Sequence, residues 1–108
     1  MTYTTEDMDK NSEKYLERAL VKAVEAVGGM CIKIHNPYYR GLPDRLIIMP
    51  DGGTCWVELK TIGKKPTKLQ LLAHEELRKR QQHVFVIDCY EKLIEFKRLI
   101  GCYDIHTA

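Results

Sequence analysis

The stretch from Arg40 to Lys60, Arg-Gly-Leu-Pro-Asp-Arg-Leu-Ile-Ile-Met-Pro-Asp-Gly-Gly-Thr-Cys-Trp-Val-Glu-Leu-Lys, leaves the chain few ways to fold. Two apolar runs flank the turn signal Pro50-Asp51-Gly52-Gly53, so Leu46 to Met49 and Thr54 to Lys60 read as the arms of one β-hairpin. Side chains alternate along a strand, which sends Trp56, Glu58 and Lys60 to one face and Cys55, Val57 and Leu59 to the other. If the turn pairs Ile48 with Thr54, Leu46 meets Trp56 and Asp44 meets Glu58, with Cβ atoms about 5 Å apart. A turn that pairs Met49 with Thr54 puts Asp44 out of phase with Glu58 unless a bulge intervenes. Facing carboxylates repel each other unless a cation sits between them.

A hard cation such as Mg²⁺ takes oxygen ligands at about 2 Å and is usually held by one or two carboxylates, waters and substrate phosphates. Asp44 and Glu58 supply such a pair, and Lys60 offers an ammonium on the same face. These are the parts for metal-assisted phosphodiester hydrolysis with Mg²⁺ or Mn²⁺ as cofactor.

Before the hairpin, residues 1–11 are polar and aperiodic and read as a loose arm. From Ser12 to Val27, Leu16, Ala19, Leu20, Ala23, Val24 and Val27 recur at helical spacing, and Gly28-Gly29 ends the run. Glu13 and Glu17 lie along the edge of that apolar stripe, where a carboxylate can reach a site. Met30 to His35 reads as a buried strand, and Asn36 to Pro43 as a loop leading into Asp44. Tyr38, Tyr39 and Arg40 in that loop suit contacts to a base or phosphate, or equally packing over the hairpin mouth.

Beyond Lys60, Thr67 is a candidate N-cap for a helix from Lys68 to Gln81, with Leu69, Leu72, Ala73 and Leu77 facing inward. Gln70 completes a Thr-x-x-Gln capping box. His74 lies one turn further on, where a lone histidine is usually structural or solvent-facing. Val84 to Asp88 is a short strand, and Glu91 to Ile100 a final helix ended by Gly101. The order αβββαβ plus a C-terminal helix predicts an α/β fold with a mixed sheet between helices.

The 108 residues fit one domain, 1–108, around a single core. No apolar run approaches a membrane span, and the first residues lack a signal-peptide pattern, so a cytoplasmic protein is expected. Cysteines 31, 55, 89 and 102 stand singly, which suits reduced thiols rather than disulfides or zinc. A net charge of +2 neither demands nor excludes nucleic acid, yet Lys33, Arg40, Arg45, Lys60, Lys64, Lys65 and Lys68 cluster around the acidic pair.

Pro43-Asp44 followed by Glu58-Leu59-Lys60 matches the Pro-Asp…Asp/Glu-x-Lys signature of the restriction-endonuclease-like superfamily. The wider context is Gly28-Gly29, Arg40-Gly-x-Pro-Asp, the glycine-rich turn, Val57-Glu-Leu-Lys and Leu69-Gln70. With it the chain resembles the VRR-NUC domain from about residue 12 to residue 89. The resemblance implies a restriction-endonuclease-like fold and a metal-dependent DNA endonuclease. Its metal ligands would be Asp44, Glu58, the Leu59 carbonyl and an acid on the first helix, for which it favours Glu17 over Glu13. Lys60 and Gln70 would be catalytic, with Tyr39, Arg40, Lys64, Lys65 and Lys68 contacting substrate. Stand-alone members look like homodimeric Holliday-junction resolvases, often carried by phages. Flap, nick or restriction-type cleavage is the alternative within this class, and a catalytically silent DNA-binding subunit the alternative outside it.

Overall fold

A computed structural model describes the backbone of residues 10–107 and the side chains of residues 10–101. Most of the expected N-terminal arm, residues 1–9, therefore lies outside the described residues, as do the side chains of Cys102 and His106. The elements are α1 (Glu13–Ala26), β1 (Met30–Lys33), β2 (Arg45–Ile48), β3 (Thr54–Leu59), α2 (Lys68–Lys79), β4 (Val84–Ile87) and α3 (Tyr90–Thr107). This is the expected α/β order.

Local chemistry sets the helix ends. Ser12 caps α1 by accepting the Tyr15 N–H at 3.1 Å. At the other end Gly28 takes φ +84° while the Gly29 N–H reaches the Val24 carbonyl at 2.9 Å, closing the helix as its Gly-Gly pair predicts. Thr67 caps α2 through the Gln70 N–H at 3.2 Å. Gly101, expected to end the last helix, does not: α3 continues to Thr107. An isolated glycine costs a helix only about 1 kcal/mol and does not break it.

The four strands lie in the order β1-β2-β3-β4, antiparallel except for the parallel pair β3 and β4. β1 is thus an edge strand: Lys33, the polar interruption of the run, is exposed, and so is Met30, which was expected to be buried. The hairpin turn closes with the Met49 N–H on the Gly53 carbonyl at 2.7 Å. That fixes Ile48 opposite Thr54 and Leu46 opposite Trp56, the first of the two registers considered.

Each face of the sheet is covered. Helices α1 and α3 bury Leu16, Leu20, Val24, Leu93, Phe96 and Ile100 against Ile47, Val57, Leu59 and Ile87. Each such side chain contributes about 1.5–3 kcal/mol relative to exposure. Helix α2 crosses between β3 and β4 on the opposite face, where Ala73 and His74 are buried. Leu69 and Leu72 are half exposed instead of facing inward, because the side of α2 applied to the sheet carries Gln70 and His74.

Candidate active site

Strand alternation and register together place the acids. With Arg45 opposite Val57, continuing the ladder by one residue sets Asp44 opposite Glu58. Asp44 Oδ2 accepts the Leu59 N–H at 2.8 Å, which fastens this carboxylate against β3. Pro43, itself buried, fixes the approach of the chain to Asp44.

Glu58 is 1% exposed. On one side Gln70 Nε2 donates to its Oε2 at 3.3 Å and Lys60 Nζ lies 3.9 Å from the same oxygen. On the other side His74 Nε2 stands 3.5 Å from Oε1 but is not aligned to donate. Glu58 Oε1 and both ring nitrogens of His74 are therefore buried without a protein hydrogen-bond partner. Burial first, and then the hydrogen bond and charge of Asp44, push the Glu58 carboxyl up to about 8, against a smaller downward pull from Lys60 and an upward push from Glu13. Burial, Arg78 and Lys60 lower His74, with Asp44 opposing, so its imidazole is neutral at neutral pH.

Sequence reasoning took Gln70 as either a helix cap or a site residue, and the geometry makes it both. Its Oε1 accepts the Thr67 N–H at 2.8 Å, so its amide nitrogen is turned toward Glu58. Sequence reasoning weighed His74 as a residue one turn from Gln70 and preferred a structural or solvent-facing role; the structure buries it beside Glu58. Its signal was helical spacing, since Gln70, His74 and Leu77 share one side of α2.

The helix acids separate. Glu17 Oε1 pairs with Arg45 Nη2 at 3.2 Å, and Arg45 also donates to the Cys31 carbonyl at 3.3 Å. Arg45 alternates with Asp44 and so points to the α1 face of the sheet, where Glu17 pairs with it. With its side chain 12% exposed, Arg45 is no part of an exposed basic rim. The helix acid whose charge reaches Glu58 is Glu13. Tyr39, Arg40, Lys64, Lys65 and Lys68 are all exposed, on the loop before Asp44 and at the entry to α2.

Among the described residues no three His, Cys, Asp or Glu side chains converge into a preformed metal cage. The donor set nevertheless fits a hard divalent ion that completes its shell with water and phosphate. Two carboxylates meet, and one of them keeps a buried oxygen without a partner.

No protein-family model matches the sequence. A protein named "Putative nuclease p44", from Acyrthosiphon pisum secondary endosymbiont phage 1, is 41% identical over 76 residues, spanning 70% of this chain and 82% of that protein. A solved structure titled "VRR_NUC domain" superposes with a TM-score of 0.73 at 33% identity, covering 77% of this chain and 90% of the other.

Proposed function

This chain belongs to the VRR-NUC nuclease family, and from that premise we propose that it is a Mg²⁺- or Mn²⁺-dependent DNA endonuclease, a structure-specific Holliday-junction resolvase acting as a homodimer. One observation carries the metal-dependent reading: Asp44 and Glu58 meet across the hairpin with a buried Glu58 oxygen left unpartnered.

In this reading Asp44 and Glu58 hold the ion together with the Leu59 carbonyl, and a helix acid adds charge from α1, with Glu13 better placed than Glu17. The ion supplies Lewis acidity and charge neutralisation at the scissile phosphate. Lys60 sits beside Glu58 and orients the attacking water or offsets charge that develops on the phosphate. Gln70, its amide held by the cap, orients Glu58 and a phosphate oxygen. The first turn of α2 begins at Lys68 and adds a cation and helix N–H groups to the phosphate path. Lys64 and Lys65 extend that path along the exposed loop before α2.

Cleaving two strands symmetrically calls for two sites, which is what favours a dimer. The proposal is tested with labelled four-way junctions, flaps, splayed arms, nicked and continuous duplexes, each incubated with Mg²⁺ or Mn²⁺, alongside the protein's mass in solution. Paired cuts in the junction by a dimer, lost in Asp44→Ala with DNA binding retained, are the expected result. Equal cutting of every branched DNA by a monomer would remove the resolvase assignment and leave a general endonuclease. DNA binding without cutting under either ion would leave a silent binding subunit.

A further inference from the structure

Building on the nuclease reading, we infer that the groove between the loop from Asn36 to Arg40 and helix α2 is a binding site for an unpaired nucleobase. The substrate class is then DNA with an unstacked nucleotide beside the cleaved bond. The groove, about 420 Å³, is lined by Tyr38, Tyr39, Arg40, Leu69 and Leu72 over a floor at Ala73. That volume is within the range of ligand clefts.

Several features of the groove suit a base. Tyr38 is 96% exposed, and Tyr39, Leu69 and Leu72 are each about half exposed, so a run of apolar surface stands open along the groove. The loop backbone that carries the tyrosines is held in place. Asn36 Oδ1 accepts the Tyr38 N–H at 2.9 Å and the Tyr39 N–H at 3.3 Å. Gly41 then anchors the loop to α2, with φ +91° and so little room that a Cβ would stand 2.6 Å from the Leu69 carbonyl oxygen. A platform ordered before binding loses less freedom when it is occupied.

Charge selects the occupant. Glu76, the acidic residue of the lining, is tied to Lys79 at 3.0 Å and Arg80 at 3.2 Å, which offsets its charge and leaves Arg40 as the cation of the lining. A flat apolar partner attached to an anion is what an aromatic surface with a cationic rim accepts, and a nucleotide has both parts. Bases stacked within a continuous duplex present no open π-face, so the nucleotide must be unpaired. The groove also borders the chemistry: Leu69 and Ala73 flank Gln70, whose amide reaches Glu58.

The experiment measures binding in Ca²⁺ by fluorescence anisotropy. The probes are a splayed duplex and versions in which each unpaired nucleotide in turn is replaced by an abasic one. In the intact protein one abasic position weakens binding about tenfold. In Tyr38→Ala or Tyr39→Ala that penalty shrinks to within about twofold, because base and ring are two halves of one contact, and Tyr38→Phe restores it. An abasic penalty unchanged in both alanine variants overturns the inference. So does its absence from the intact protein. Should Tyr38→Ala instead convert a dimer to monomers with the penalty intact, the groove belongs to a second copy of the chain and the inference falls. The two readings are separable: metal-dependent cutting of the four-way junction with no abasic effect removes the groove alone. A protein that neither binds nor cuts any of these DNAs with Mg²⁺ or Mn²⁺ removes both.

Discussion

His74 Nε2 lies 3.5 Å from Glu58 Oε1 in a pocket where each side chain is 1% exposed, and neither atom has a hydrogen-bond partner. A buried donor and acceptor kept so near each other cost stability while unpaired. If Glu58 holds an ion as proposed, His74 would fix the carboxylate from behind, as groups outside the ligand set do in metal sites. His74→Ala is expected to weaken Mn²⁺ binding about tenfold by calorimetry, with the fold intact by circular dichroism. Unchanged Mn²⁺ affinity would show that His74 is only core.

The pH dependence of the metal-free protein follows from Glu58. Its folded carboxyl is raised from 4.5 to about 8, so the folded state keeps a proton that the unfolded chain releases. The stability this confers is present in acid and is lost as pH rises through that window, by several kcal/mol at most. The melting temperature without metal should fall between about pH 5 and about pH 8.5. Glu58→Gln, which cannot titrate, should flatten the curve, and Mn²⁺ at about pH 8 should raise the wild-type midpoint. A metal-free midpoint that rises over that range contradicts this account of Glu58.

Glu13 and Glu17 lie one turn apart on α1 but do different work. Glu17→Gln breaks the contact to Arg45 and is expected to cost about 1 kcal/mol of stability while leaving Mn²⁺ affinity within about twofold. Glu13→Gln should change stability by no more than about 1 kcal/mol and lower the Glu58 titration midpoint, read by carboxylate infrared absorption. The reverse pattern would return Glu17 to the metal site.

Thr67 and Gln70 share a capping box, and only Gln70 also touches Glu58. Thr67→Ala should therefore lower stability by about 1 kcal/mol with cleavage little changed. Gln70→Ala should lose a similar amount of stability and, in addition, at least about tenfold in cleavage rate. Equal effects on cleavage would reduce Gln70 to a cap.

The acidic pair was legible because it depends on a local rule. Thirteen residues lie between the carboxylates, and alternation plus a glycine-rich turn is enough to set them opposite one another. The helices were legible through their stripes and caps, Ser12 and Thr67 included. What the chain alone did not disclose depends on how elements dock. Leucine spacing on α2 suggested an apolar inner face, yet the helix turns Gln70 and His74 to the sheet and leaves Leu69 and Leu72 in the groove. Likewise, the contact of Glu17 with Arg45 depends on the angle at which α1 crosses β2, which no periodicity encodes. The extension of α3 past Gly101 reflects a penalty that neighbouring turns can absorb.

Because both acids stand on one hairpin, their meeting is a matter of counting residues rather than of overall shape. Lengthening either arm by a single position would swing Asp44 or Glu58 onto the side occupied by α1, whatever the helices did to adapt. The count of rungs between turn and carboxylates is thus the quantity on which the site depends.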